Sequence, residues 1–487
     1  MSQAFRNSDG GRVDRGKRLS FTFDGQRYTG HEGDTLASAL LANGVRLVGR
    51  SFKYHRPRGI VTSGAEEPNA LIQLGEGAFT EPNTRATQIE LYDGLVAESQ
   101  NRWPSVNFDV GVVNNLLSKI FPAGFYYKTF MWPPKAWMFY EKIIRNAAGL
   151  GKAPTEPDPE TYEKRRVHCD VLVVGAGPAG LAAARAAGAS GARVILADEQ
   201  AAFGGSLLAS RATIDGKTVA EWVDSMVEEL AGMPEVRLLP RTTVTGYYDH
   251  NFLVAAERLN DHLPTGERQG PRQRVWKIRA KRVVLATGAI ERPLVFAEND
   301  RPGVMLADAV KTYVNRYGAR PGNRAVIFTN NDSAYRAAID AADGGIHVAA
   351  IVDVREKPEG ALVREARDHG IEIIPGSAIT RVRGGKQVAD VEVSGLSEDR
   401  ESVNGQRRSI DCDLVMMSGG WNPTVHLASQ SGAKMQWDEA LHSFVPGLLK
   451  QAQHNVGALA GDLTLEGCLA QGDTAGAEAA TEAGFAA

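Results

Sequence analysis

Two apolar runs of four residues, Val171–Val174 and Val194–Ala197, bracket an alanine-rich segment, Leu181–Ala187. Runs of that length suit buried strands, whereas the longer small-residue segment between them has helix length. The pattern predicts strand, tight turn, helix, strand. The same succession returns between Arg324 and Asp353 as a second βαβ unit. Shorter runs predict strands near Val236–Leu239, Thr243–Tyr247, Phe252–Glu257, Val275–Ala280, Val283–Leu285, Glu372–Ile374, Val388–Val393, Leu414–Met417 and Val456–Ala460. Helices are expected around Val219–Leu230 and at Gln471–Ala483, the latter with glycines suited to close approach to a sheet or ligand. From Leu414 onward the chain is expected to return to the sheet of the first unit.

Upstream, the first twenty residues are polar and read as an extended arm. Leu19–Phe23 and Gln26–Thr29, joined by Asp24-Gly25, predict a hairpin with a type I′ turn. Thr35 closes an N-cap sequence before an amphipathic helix carrying Leu36, Ala37, Leu40 and Leu41. Hairpin followed by helix resembles the opening of a plant-type ferredoxin. The loop at 50–59, where such folds carry cluster cysteines, has none, so no iron–sulfur cluster is expected there. It carries Arg50, Lys53, His55, Arg56 and Arg58 instead. Those charges suit a phosphate or an acidic partner, or else a solvated loop paired with Glu66 and Glu67. Residues 101–150 are rich in aromatics, including Trp103, Phe108, Phe121, Phe125, Tyr126, Tyr127, Phe130, Trp132, Trp137, Phe139 and Tyr140. Prolines interrupt this stretch, so short helices with exposed loops are expected, packed between domains or against another subunit. The Pro-rich, charged segment 151–166 reads as a linker or surface crossing.

Chemistry enters at the turn after Val174, Gly175-Ala176-Gly177-Pro178-Ala179-Gly180. Gly175 permits the sharp turn, Gly177 admits a pyrophosphate to the backbone, and Gly180 lets the helix pack closely on the sheet. Phosphate charge would sit on the N–H groups of the helix N-terminus. Asp198, eighteen positions beyond Gly180, ends the second strand, where a carboxylate can accept from both ribose hydroxyls. Gly461-Asp462 places a second carboxylate for a ligand hydroxyl near the pyrophosphate, or forms a plain turn. Gly288, in the Ala286-Thr287-Gly288 turn, stands where the chain of a two-nucleotide-domain flavoprotein crosses between domains. In the second βαβ unit the glycine positions read Thr329, Asn331 and Ala334. Side chains at the first two would crowd a pyrophosphate, so this unit is expected to keep the fold without the ligand. Spacing alone does not separate FAD from NAD.

Composition narrows the remaining classes. In 487 residues, 55 basic and 58 acidic side chains nearly cancel, which gives no field directed at nucleic acid or anionic membrane. The three cysteines are far apart, which fits a reducing cytoplasm, and the histidines show no metal-ligand spacing. Neither a signal sequence nor a membrane span is expected, and no base–nucleophile constellation stands out, so no catalytic residue is assigned.

The strings YHRPRG (54–59), VGAGPAG, ATGAIERPLVFAENDRPGVM (286–305), FTNNDSAY (328–335) and SGGWNPTVHL (418–427) together resemble the α subunit of heterotetrameric sarcosine oxidase, across essentially the whole chain. The resemblance implies an α/β fold of two dinucleotide-binding domains, FAD/NAD(P)-binding and thioredoxin-reductase-like, preceded by a cluster-less ferredoxin-like β-grasp domain. The expected parts are 1–100 for the β-grasp, 101–166 for the aromatic segment and linker, 167–300 with 408–487 for the Rossmann domain, and 301–407 for the degenerate second one. It implies oxidation of the N-methyl group of sarcosine to glycine, hydrogen peroxide and a one-carbon unit, formaldehyde or 5,10-methylenetetrahydrofolate. It also implies assembly with β, γ and δ subunits. By the same resemblance the α site holds NAD⁺, with FAD and FMN in the β subunit and at its interface. Carried over by position, the contacts are Ala179, Asp198, Glu199, Gln200, Ser206, Val244 through its backbone, Asp462 and Leu469. The family's α subunit continues into a folate domain, so this chain is expected to be a fragment or a separately encoded half, and tetrahydrofolate belongs only with the missing half. The other reading is the FAD-binding subunit of an opine or amino-acid dehydrogenase.

Overall fold

In the computed structural model, which describes residues 3–118, 132–147 and 151–486, the hairpin pairs Asp14–Phe23 with Gln26–Glu32. Asp24 and Gly25 sit at φ 49° and 75°, the left-handed pair that a type I′ turn requires. Thr35 and Ser38 cap the helix Leu36–Ala42 reciprocally. The sheet order is 26–32, 14–23, 95–99, 71–74, 81–85, with a parallel pair between 14–23 and 95–99, as in a β-grasp. The expected extended arm is docked instead. Arg6 bonds both oxygens of the buried Asp34 carboxylate, which also accepts from Ser38. Burying that charge requires such a partner, so the arm is held down.

Around the aromatic segment the described elements are short: 110–112, Val113–Leu116, 134–136 and Trp137–Ala147. Trp103, Phe108, Trp132 and Phe139 are exposed. Phe121, Phe125, Tyr126, Tyr127 and Phe130 lie outside the described residues.

The first βαβ unit is Tyr162–Val174, Pro178–Ala189 and Val194–Ala197. Its sheet runs 236–239, 194–197, 162–174, 273–285, 252–258, 242–248, and Gln453–Asn455 pairs parallel with the end of 273–285. The segment expected as linker already enters the sheet at Tyr162, and the two expected strands 275–280 and 283–285 are one strand, Gln273–Leu285. At their starts Tyr162–Val174 is polar on both faces and Gln273–Leu285 on one, and both are apolar on both faces at their ends, so periodicity breaks them where the sheet does not.

The second unit is Arg324–Thr329, Ser333–Asp343 and His347–Asp353, in a parallel sheet ordered 304–306, 414–418, 324–329, 347–353, 373–374. Leu414–Ser418 therefore belongs to this sheet and not to the first, because its apolar face completes the core around Val326 and Ile327. The return comes at Trp421–Pro423, which pairs antiparallel with Ala289–Glu291. Likewise Val456–Ala460 is a tight helical turn over 457–460; the strand lies earlier, at Gln453–Asn455. Gly457 at φ 65° breaks the extended path. The final helix is Leu465–Glu482, starting earlier than expected because Thr464 caps it. The chain forms two compact units, Met1–Pro159 with Pro293–Gly420 and Glu160–Arg292 with Trp421–Ala487.

Candidate functional site

The glycine turn closes Tyr162–Val174. Gly175 adopts φ 94°, and a methyl group there would strike the Ala286 carbonyl. A methyl at Gly180 would land on the Gly175 carbonyl oxygen, so the helix sits as near the strand as backbone permits. Gly177 is different. A Cβ there meets nothing within 4 Å, which leaves open space over the turn where a pyrophosphate would lie. Pro178 occupies the first helical position, where its missing N–H costs nothing, and no side chain caps the helix. The donors at this N-terminus are available to an anion.

Asp198 is buried at the strand end. Its Oδ2 accepts from the Ala176 N–H at 2.7 Å and its Oδ1 from the Gln200 N–H at 2.8 Å. The carboxylate thus holds the turn in shape. Glu199 and Gln200 follow half-buried at the strand tip. The backbone of 198–200 is bridged to 241–242: Thr242 N–H donates to the Asp198 carbonyl and Arg241 N–H to that of Gln200. This brings the half-buried Val244 alongside.

A second loop seals the turn. Gly204 N–H donates to the Ala176 carbonyl at 2.8 Å, and a methyl on Gly205 would come within 2.9 Å of the Gly177 Cα. Exposed Ser206 follows it. Gly288, at φ 73° with open space around it, accepts from the Thr424 N–H through its carbonyl. Asp462 follows Gly461, which sits at φ 95°. Its Oδ1 accepts from the Thr464 N–H and hydroxyl, and its Oδ2 from Gln471 Nε2 at 3.1 Å. Gln471 in turn accepts from the Gly457 N–H. Leu469 packs against the core of this unit. The glycines of the last helix approach the first helix: methyls at Gly472 and Gly476 would strike the carbonyls of Ala179 and Ala183. Sequence reading left Gly205, Gly457 and Gln471 unassigned. The four-residue spacing of Gly472 and Gly476 was the available signal for helix contact.

The second turn is filled by its own side chains. Asn331 N–H donates to the Thr329 hydroxyl, Asn331 Nδ2 donates to Ser418, and the Ser333 N–H and hydroxyl donate to Asn331 Oδ1. Asp353, the counterpart of Asp198, is fully buried and takes Tyr335 and Arg355 as partners. Burial first, then that hydrogen bond to the carboxylate, pushes the Tyr335 hydroxyl well above its ordinary pKa.

The basic loop is compensated differently from expectation. Arg56 bonds Asp300 and Glu298, and Arg58 bonds Asp300, whereas buried Glu67 binds the backbone N–H groups of Val61, Thr62, Asn69 and Ala70. Burial pushes the Asp300 carboxyl up, but the two guanidinium groups outweigh it and hold its pKa at about 2. Arg50 is buried against the Val106 carbonyl, and His55 Nδ1 meets Asp109 at 2.6 Å.

Parallel strands around a glycine fingerprint, repeated once in altered form, define the class: a protein of the doubly wound nucleotide-binding fold. The chain belongs to the pyridine nucleotide-disulphide oxidoreductase family, whose model matches residues 169–448. Residues 16–102 match a 2Fe-2S iron-sulfur cluster binding domain. The cysteines, Cys169, Cys412 and Cys468, all lie outside that match, so its residues do not fit a thiolate-held cluster. The chain is similar to sarcosine oxidase subunit alpha of Rhizobium meliloti (strain 1021), at 50% identity over 477 residues, 96% of this chain and 46% of the relative. The same subunit of Corynebacterium sp. (strain P-1) is 43% identical over 483 residues, 98% of this chain and 45% of the relative. The chain spans about half the length of these curated relatives. The crystal structure of L-proline dehydrogenase from P. horikoshii shares the fold, with a TM-score of 0.63 at 21% identity, covering 97% of this chain and 75% of that one. Among the described residues no group of side chains suits a metal ion, and no helix is long and apolar enough to cross a membrane.

Proposed function

We propose that this chain is the dinucleotide-binding half of a sarcosine oxidase α subunit, supporting oxidative demethylation of sarcosine by flavins carried in a partner β subunit. The observation that carries the reading is the open turn over Gly177 in a chain similar to sarcosine oxidase subunit alpha over 96% of its own residues. The proposed ligand is NAD⁺, with FAD as the other candidate. Gly175, Gly177 and Gly180 shape the turn, and the backbone from Gly177 to Ala179 receives the pyrophosphate. Asp198, Glu199 and Gln200 face the ribose, Ser206 follows the Gly-Gly loop that seals the turn, the Val244 backbone meets adenine, and Asp462 and Leu469 lie toward the far end, with Gly288 and Gly461 shaping their turns. Bound flavin would supply the amine-oxidising chemistry. The residues of this chain bind and orient the nucleotide, and none is proposed to take a proton from substrate. FMN at the β interface, γ and δ subunits, a cytoplasmic setting and the four-part domain division, with Leu414–Ser418 moved to the second nucleotide domain, belong to the same proposal. Tetrahydrofolate belongs to it only where the remaining half of the relatives' length is present.

The test is to purify the chain, record its absorption spectrum, and identify the released nucleotide by mass spectrometry after denaturation. NAD⁺ without visible absorption, and no peroxide from sarcosine by the chain alone, is the expected result. A stoichiometric flavin with amine oxidation by the isolated chain would replace this reading with that of a flavoprotein dehydrogenase subunit.

A further inference from the structure

The sheet of the first βαβ unit has a face that its own core leaves bare. Along Gln273–Leu285, buried Trp276, Ile278 and Ala280 alternate with outward Val275, Lys277 and Arg279. Phe252–Arg258 alternates likewise, with Leu253, Ala255 and Glu257 inward and Phe252, Val254 and Ala256 outward. Register aligns the rows: Lys164 lies opposite Val275, Arg166 opposite Lys277, and His168 opposite Arg279. On the other side Phe252 lies opposite Arg279, Val254 opposite Lys277, and Ala256 opposite Val275. Residues opposite one another share a face. Tyr248, opposite Phe252 and half exposed, extends it.

Lys164, Arg166, Lys277 and Arg279 thus stand together with no aspartate or glutamate among the outward positions of these rows. No carboxylate pairs with any of the four among the described residues. Arg279 instead lies 5.2 Å from the Phe252 ring centre and donates to the His250 carbonyl. Arg166 directly opposite Lys277 is a like-charge cross-strand pair, which costs stability unless an opposite charge arrives from elsewhere. The centre, Val254 and Val275, is apolar and only half-buried.

We propose that this face docks an acidic surface of another subunit of the assembly, with carboxylates meeting Lys164, Arg166, Lys277 and Arg279 around the Val254–Val275 centre. The inference rests on the subunit reading above. A two-fold pairing of this face with the same face of a second copy does not fit, since cations would meet cations. Nucleic acid fits poorly too. Three strands spaced about 4.8 Å apart, each contributing about 20 Å of length, meet only a few phosphates, and the chain's net charge is −3.

The experiment co-expresses the chain with sarcosine oxidase β, γ and δ subunits and follows assembly by native mass spectrometry, with lysine acetylation as a footprint. Lys164 and Lys277 are expected to be labelled in the free chain and protected in the complex. The variant K164E/R166E/K277E should weaken assembly by about tenfold or more, and K164Q/R166Q/K277Q by less, since close charge pairs dominate such contacts. Raising salt from about 0.05 to about 0.5 M should weaken the wild-type complex more than the glutamine variant. Unchanged melting temperatures would show that both variants fold. A complex in which both lysines label as fast as in the free chain, or which the glutamate variant forms at wild-type affinity, overturns the docking face alone. No complex with the wild-type chain overturns the subunit reading and this face with it. A DNA oligonucleotide bound by the isolated chain and released by the same charge reversal would overturn it in favour of nucleic acid.

Discussion

At the end of Tyr162–Val174 the chain turns through Gly175, Gly177 and Gly180; at the end of Arg324–Thr329 it turns through Thr329, Asn331 and Ala334. Both turns join a parallel strand to a helix of nearly equal length, and both second strands end near an aspartate. In the first, the carboxylate of Asp198 ties backbone to backbone and leaves the space above Gly177 empty. In the second, the Thr329 hydroxyl and Asn331 Oδ1 accept the N–H groups of Asn331 and Ser333, while Tyr335 and Arg355 take up Asp353. A βαβ unit therefore holds its shape with or without a ligand site. What separates the two states is whether the polar groups of the turn are satisfied from within or left for a ligand.

The two turns should differ most in their response to substitutions at the glycine positions. Gly180→Ala should destabilise by about 2–4 kcal/mol, because the added methyl meets a backbone carbonyl that has nowhere to move. The opposite change, Ala334→Gly, should cost only about 1 kcal/mol of helix propensity. Thermal or urea unfolding measures both; comparable losses would mean that the two turns are packed alike. Gly177→Val should leave stability near wild type, since a Cβ at this position meets nothing within 4 Å, yet abolish nucleotide retention. A variant that still purifies with a full equivalent of dinucleotide would move the site elsewhere. The same denatured-protein mass spectrometry should find one dinucleotide per wild-type chain, and two would reopen the second turn.

The acids come next. Tyr335→Phe removes a 2.8 Å hydrogen bond to a fully buried carboxylate and should cost about 1–3 kcal/mol in unfolding free energy. It should not change nucleotide content. Asp198→Asn should cost a comparable amount and also weaken nucleotide binding, by about 1–3 kcal/mol where the lost partner is a charged acceptor. Equal effects of both variants on nucleotide content would erase the distinction between the acids.

The smallest effect concerns Asp300. Its pKa of about 2 lies below its ordinary 3.8, so the stabilisation is complete above pH 3.8 and is lost as pH falls toward 2. Acid unfolding followed in wild type and in R56Q/R58Q should diverge above that window and converge at its bottom. Because those arginines are committed within the chain, reversing their charge breaks internal ion pairs and is no clean probe of a partner.

Elements with a local cause were legible in the chain. Asp24-Gly25 tolerates the two left-handed conformations of the hairpin turn, Thr35 caps its helix, and the Gly175–Gly180 spacing produces the strand–turn–helix. Family and fold were legible for the same reason, since the fingerprint and the long strings at 286–305 and 418–427 are contiguous in the chain. Features that depend on distant partners emerged only in the folded molecule. It assigned Leu414–Ser418 to the second sheet, where apolar pairing with Arg324–Thr329 outweighs adjacency in sequence. It gave Arg56 and Arg58 to Asp300 rather than to the nearer Glu67, whose oxygens were taken by backbone N–H groups. It also set Gly205 against Gly177 and Gly472 against Ala179, because a close approach needs the absence of a side chain on one surface and a backbone from elsewhere on the other. Charge and apolar pattern specify what a residue can do; only the fold supplies the neighbour that decides what it does.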